Sequence, residues 1–383
     1  MKVRFGDVRF GELAKKNILE VLKSNRVSMG EKVACFEKEW GELFDYKFNV
    51  AMSSGTDADT AACMVLYDLG AKRGDEIIAP ALAFISVGNS ILAAGFNPVF
   101  VDINKETLNI DAHKIEEKIT DKTRAILAVH TMGKPCDMDK IMEIAKKYNL
   151  LVIEDSCEAH GAKYKNKFIG QMGDISTFSF YAAHLVCSGE GGMASTNNKR
   201  LAEILKSIRN HGREETEFLL DQKYFNHVRI GLNLRMNELE ASLALEQVKN
   251  FWNTFNKRKE NYYYLMEKLK DLQKFIYLLL ENNYEVIAPH AFSIVLKDNK
   301  YGYEKLYTYL RENGINCKRN FGCIPTQHKA FEFLGHKLGE FPETEYVGDN
   351  GLHFGIHQYL SKEELDHVSK IIHDYFSKFS EQI

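Results

Sequence analysis

The sequence predicts an α/β protein, a mostly parallel sheet covered by helices on both faces, followed by a smaller α+β unit. Between residues 49 and 196, short and almost wholly apolar runs alternate with helical segments. That is the pattern of strands buried on both faces and joined by crossover helices. After Asn237 the alternation gives way to a helical stretch reaching about Asp271, too long to pack as one helix within one domain. A length of 383 residues exceeds one typical domain. The chain is therefore divided into a large domain, 1–250, with N-terminal helices, and a small C-terminal domain, 251–383.

In chain order, a short extended piece leads into amphipathic helices at 11–24 and 32–43, separated by the turn Ser28-Met29-Gly30. Residues 49–53 read as a strand that stops at Ser54-Gly55-Thr56-Asp57 and restarts as a helix over 58–69. Such a junction exposes backbone N–H groups at a helix N-terminus, where the dipole favours a phosphate; every N-capped helix shares that property. Strands follow at 76–80, 98–102, 124–130 and 150–154, with helices at 85–94, 112–119 and 138–148. Strands at 177–181 and 193–196 flank a polar, glycine-rich turn, and a helix spans 198–209. Residues 211–226 show no clear period and read as a loop near the site. The stretch from Asn237 is expected to bend near Phe251-Trp252 and link the domains. A strand at 291–297 and helices at 303–313 and 363–379 complete the smaller unit.

Composition narrows the function. With 45% hydrophobic and 27% charged residues the chain reads as ordinary and globular, and a net charge of −3 gives no reason to expect nucleic acid or membrane partners. No apolar run approaches the roughly 20 residues of a membrane span, and the N-terminus lacks a signal peptide's apolar region, so a cytoplasmic protein is expected. The seven cysteines include no C-x-x-C pair, which leaves zinc and thioredoxin-type chemistry without support; no metal is expected.

Candidate chemistry gathers where strands end. Asp155 closes an apolar run, and a buried carboxylate there must find a partner or cap a turn. His184 stands where strand 177–181 gives out, and an imidazole can take and return a proton near neutral pH.

Taken together, Ser179-Phe180, His184 and Gly189-Glu190-Gly191-Gly192 resemble the active-site segment of the DegT/DnrJ/EryC1/StrS family, sugar aminotransferases that use pyridoxal phosphate (PLP). In that family the fifth residue after the serine is the lysine that binds the cofactor covalently; here it is His184. A few members, the sugar 3-dehydratases, carry histidine at this position. The chain resembles them, and the GDP-4-keto-6-deoxy-D-mannose 3-dehydratase type above all. Glu158, where the aminotransferases have glutamine, and the segment Phe354-Gly355-Ile356-His357-Gln358 carry the same resemblance, with isoleucine replacing an asparagine. Likeness is strongest between Ser53 and Asn237 and extends over nearly the whole chain.

The resemblance implies PLP fold-type I (aspartate aminotransferase-like), a mostly parallel seven-stranded sheet, and a homodimer. It implies that the large domain binds PLP, or its amine form PMP, noncovalently. Gly55 and Thr56 would form the phosphate turn with Ser179 nearby, Phe84 would stack on the pyridine ring, and Asp155 would meet the ring nitrogen. Glu158 would lie at the cofactor. Asn233 would reach across the dimer to the other subunit's cofactor phosphate, with Arg235 holding its loop. Arg319 would pair with the diphosphate of the sugar nucleotide, although a plain surface role is the alternative.

The implied activity is 3-dehydration of a nucleotide-linked 4-keto-6-deoxyhexose in deoxysugar and O-antigen biosynthesis. His184 is the acid–base group and an amino acid such as glutamate the amine donor. One branch of these dehydratases holds an iron–sulfur cluster through two cysteines separated by a single residue; no such pair exists here, so no cluster is expected. Two rival readings stand. One is an aminotransferase using another lysine, with Lys163, Lys165 and Lys167 nearest in sequence; the other is a noncatalytic binder of sugar nucleotides.

Overall fold

The computed structural model describes residues 1–214 and 226–380. Most of the loop expected over 211–226 lies outside the described residues. The central sheet is built from β1 (Phe48–Met52), β2 (Glu76–Pro80), β3 (Asn97–Val101), β4 (Thr123–Val129) and β5 (Leu151–Asp155), then, past a small hairpin of β6 (Lys163–Tyr164) and β7 (Lys167–Phe168), from β8 (Ile175–Ser179) and β9 (Gly192–Thr196). Its order is β1-β9-β8-β5-β4-β2-β3, seven strands. β9 alone runs against its neighbours, and the other pairings are parallel. The expected seven-stranded, mostly parallel sheet is therefore observed.

Helices α1 (Glu12–Ser24), α2 (Glu31–Phe44), α3 (Gly55–Asp68), α4 (Ser86–Ala93), α5 (Met138–Tyr148) and α6 (Lys199–Arg209) cover the sheet. The alternation of side chains along β8 shows how the two faces are filled. Phe178 and, just beyond the strand, Phe180 join Phe36, Trp40 and Phe44 of α2 in one core. Ile175 joins Val65, Leu66 and Ile204 on the opposite side, under α3 and α6. β8 begins and ends two residues earlier than the sequence suggests, so Phe180 and Tyr181 already belong to the turn that carries His184.

One further expectation needs correction. Residues 112–119 form two 3₁₀ turns, Ala112–Lys114 and Glu116–Lys118, instead of one helix. Asp111 caps the first turn, Ile115 is the fully buried anchor, and Ile119 is already extended; so short a segment lacks the contacts that sustain an α-helix. The long stretch after Asn237 bends beside Phe251-Trp252 as expected: it is two helices, α7 (Glu238–Lys249) and α8 (Phe251–Leu269), broken at Asn250 where φ is −99° and ψ is 9°. Asn237 and Glu240 form a capping box at the start of α7.

β10 (Ile276–Leu278), β12 (Ala291–Leu296), β13 (Cys317–Arg319) and β14 (Gly351–Gly355) make a second, antiparallel sheet in the order β10-β12-β14-β13; β11 (Glu285–Val286) instead extends the β6/β7 hairpin. The second sheet buries its apolar face against α8, α9 (Tyr303–Glu312) and α12 (Lys362–Ser380). The single turn α10 (Ile324–Gln327) and α11 (Pro342–Asn350) complete the α-helices of the described residues. Among the described residues no helix is long and apolar enough to cross a membrane.

Candidate active site

The C-terminal ends of β1, β5 and β8 converge on the first turn of α3. Ser54 is the N-cap, its hydroxyl accepting the Asp57 N–H at 3.0 Å, so α3 starts at Gly55, three residues earlier than the pattern suggests. A side chain at Gly55 would meet the Ser179 Cβ at 2.6 Å and the Cys157 Sγ at 3.0 Å. One at Gly192 would meet the Ser54 carbonyl at 2.1 Å. Glycine at both positions thus lets β8, β9 and the helix N-terminus close on one another, which places Ser179 beside Gly55 and the exposed Thr56. Backbone donors, a helix dipole and a hydroxyl converge there, the donor set a phosphate needs.

Behind this turn lies an acidic floor. Asp155, the last residue of β5, is buried and accepts the Cys157 N–H at 3.0 Å. Asp59 of α3 is 1% exposed and accepts a hydrogen bond from Thr177 at 2.5 Å, while its second oxygen has no partner. Ligand atoms of Asp59, Asp155 and Cys157 lie within 4.8 Å of one another. Burial pushes both carboxyls up, Asp59 strongly, and the charge of Asp155 adds to the effect on Asp59. A buried acid pair of this kind is completed by a cation.

His184 stands at the other end, in the turn between β8 and β9. Its N–H bonds to the Tyr181 carbonyl at 3.0 Å, and its Nδ1 is buried without a partner. Arg258 of α8, 2% exposed, holds the turn from below by donating to the carbonyls of Ala183 and His184 and to Oε1 of Gln358 at 3.0 Å. Burial and then the Arg258 charge pull the His184 imidazole down to about 3, so the ring is neutral at neutral pH. Two more rings flank it, His290 at 4.9 Å and His160 at 5.7 Å between centroids. His290 Nε2 lies 3.4 Å from Glu158, whose other oxygen accepts the Met132 N–H at 2.6 Å. Burial raises Glu158 to about 8.

Gly55, Thr56, Asp155 and Ser179 are thus brought to one cradle, with Glu158 and His184 linked through His290. Phe84 is 59% exposed and makes an edge contact with Phe321, leaving a free aromatic face. Asn233 lies exposed on the segment that pairs with Asn210, and Arg235 ties that segment down through Asn210 at 2.5 Å. Arg319 is engaged elsewhere, paired with Glu304 at 3.3 Å and set over the Tyr303 ring, and is not brought to the His184 group. Its neighbour Lys318 points to the opposite side of β13, over Phe5. Sequence reasoning missed Asp59, Arg258 and His290. The first two carry a signal: each is a charged residue on the buried stripe of its helix, Arg258 in register with Phe251, Phe255, Tyr262 and Leu265. His290, in the loop before β12, has none.

Tested against PLP or PMP, the residues fit. The α3 turn suits the phosphate, and the acidic floor, with its orphaned Asp59 oxygen, suits a protonated ring nitrogen. The chain is 32% identical to the GDP-4-keto-6-deoxy-D-mannose 3-dehydratase of Yersinia pseudotuberculosis, over 93% of this chain and 94% of that protein. It is equally, 32%, identical to the GDP-perosamine synthase of Escherichia coli O157:H7, over 95% of both. The solved structure of the E. coli GDP-4-keto-6-deoxy-D-mannose-3-dehydratase with bound hydrated PLP superposes with a TM-score of 0.88 at 28% identity, covering 97% of this chain and 99% of that one. The family profile of the DegT/DnrJ/EryC1/StrS aminotransferases matches residues 9–373, and the chain belongs to that family of PLP-dependent enzymes acting on nucleotide-linked sugars.

Proposed function

We propose that the chain is a PMP-dependent 3-dehydratase of a nucleotide-linked 4-keto-6-deoxyhexose, of the GDP-4-keto-6-deoxy-D-mannose type, working as a homodimer in deoxysugar and O-antigen assembly. The observation that carries this reading is His184 itself: a neutral imidazole, orphaned at Nδ1, where an aminotransferase of the family needs an amine. When bound, PMP supplies an amine for the C4 ketone and a ring that accepts the electron pair released when its C4′ carbon loses a proton.

The protein's part is to bind, orient and move that proton. The α3 turn and Ser179 hold the phosphate, Asp155 the ring nitrogen and Phe84 a ring face; Asn233 of one subunit reaches the phosphate in the other. His184 takes the C4′ proton. Burial and Arg258 make the imidazolium a poor resting state, so it passes the proton to the departing C3 hydroxyl, which leaves as water. The products would be a 3-deoxy-4-keto sugar and ammonia, with an amino acid such as glutamate supplying the nitrogen and two electrons as it becomes its 2-oxo acid. The electrons balance, because the two lost by glutamate replace those carried away by the C3 oxygen.

Two of the lysines nearest in sequence, and one buried lysine, are otherwise engaged. Lys163 sits over the Phe168 ring, Lys165 pairs with Asp139, and the buried Lys134 pairs with Glu285. The test is borohydride treatment of the PLP-loaded protein followed by peptide mass spectrometry. No pyridoxyl adduct is expected on any active-site lysine, and finding one would restore the aminotransferase.

A further inference from the structure

We propose that Asp59 is a positioning residue for the cofactor: with Asp155 it stores the proton that the pyridine nitrogen carries once bound. The inference rests on the reading that Asp155 meets that nitrogen.

Asp59 lies one turn into α3, among Ala58, Ala61, Ala62 and Cys63, all fully buried. A carboxyl in such a place needs a reason, because it loses hydration and gains only the Thr177 hydrogen bond on one oxygen. The other oxygen is an orphan, and an Asp155 oxygen and the Cys157 sulfur lie within 4.8 Å. Two carboxylates so close in a dry site do not both ionise readily; they titrate as a pair holding one charge and one proton. The surrounding groups relieve this only in part: the Cys157 hydrogen bond and the His130 charge favour an ionised Asp155, yet burial still leaves it raised. Cys63 and Cys157 are pushed up by burial and stay thiols, and Glu158 feels Asp155 as a like charge. His130 is committed to Glu154 at 3.2 Å and to the Cys136 N–H.

Proton counts follow. The empty pair holds one proton, and so does the trio formed with the ring nitrogen, because a pyridinium beside both carboxylates favours their ionised forms. A ring arriving protonated therefore expels one proton, and a ring arriving neutral takes the stored one. With Asp59 replaced by a neutral residue, the protonated ring expels none, and the neutral ring must draw one from water. Wild type thus releases one more proton than the variant on binding, and its affinity advantage grows roughly tenfold per pH unit.

The experiment is calorimetric titration of EDTA-treated apoprotein with PMP in buffers of different ionisation enthalpy at pH 7 and 8, for wild type, Asp59→Asn and Asp59→Leu. PMP's own phosphate and amine contribute equally in all three. The expected result is about one extra proton released by wild type and a dissociation-constant ratio that widens about tenfold between the two pH values. Equal proton counts with a constant ratio would overturn the role of Asp59 while leaving the Asp155 contact standing. Failure of wild type to bind PMP would overturn both. Should the Asp59 variants not fold, the infrared difference spectrum of Glu158→Gln on PMP binding decides. Loss of a protonated-carboxyl stretch supports the proposal, and an unchanged stretch defeats it.

Discussion

At the floor of the site burial pushes the carboxyls of Asp59 and Asp155 up; in the turn opposite, burial and the Arg258 charge pull the His184 imidazole down. One force, the cost of carrying charge out of water, produces both outcomes, neutralising acids by protonation and bases by deprotonation. The difference lies in the charge each region already holds. The floor is built of buried carboxyls and suits a cation, whereas the turn already holds one in Arg258 and disfavours another. A cofactor that is cationic at its ring nitrogen and yields a proton at C4′ fits between the two.

The comparison breaks most visibly at His184. His184→Asn keeps the size and a hydrogen bond but removes the titratable nitrogen, so turnover should fall by roughly 10²-fold or more while PMP binding, measured by absorbance titration, survives. Unchanged turnover would show that the turn needs no base. Next comes its support. Arg258→Met strips donors from the Ala183 and His184 carbonyls and from Gln358, with an expected stability loss of about 2 kcal/mol by urea unfolding. With the Arg258 charge gone, the His184 titration followed by NMR should move upward.

The pH dependence of stability separates the two signs. Burial takes Glu158 from its ordinary 4.5 to about 8 in the fold, so the folded state binds the extra proton. Its contribution is full below pH 4.5 and is lost as pH rises through 8. His184 goes from 6.5 to about 3, so its contribution is lost as pH falls through that window. Glu158→Gln should therefore flatten the alkaline limb of a melting-temperature profile, and His184→Asn the acid limb, each by on the order of a few kcal/mol. The smallest effect belongs to Arg319→Ala. With its side chain 49% exposed, it should change stability by less than about 0.5 kcal/mol, so a raised KM for the sugar nucleotide would report diphosphate contact alone.

Much of this arrangement was legible before any coordinates. Apolar runs locate the strands because both faces of a parallel sheet are buried, and the glycine-rich turn marks His184 because only small residues let β9 pass Ser54. Residues 112–119 misled, since their helical spacing says nothing of the tertiary contacts a short helix needs. Asp59 and Arg258 show in the sequence only as charges on apolar helix stripes, and His290 shows not at all. What makes them functional candidates is the company they keep across the fold, and Asp59 and Asp155 are nearly a hundred residues apart in the chain.

The measurement that bears most directly on the proposed chemistry is the fate of one nitrogen and one oxygen in a single turnover. PMP-loaded protein mixed with GDP-4-keto-6-deoxy-D-mannose should release about one equivalent of ammonia. The sugar nucleotide recovered should lack its C3 oxygen and keep a ketone at C4. A 4-amino sugar with the C3 oxygen in place, and no ammonia, would contradict the account and make the chain an aminotransferase.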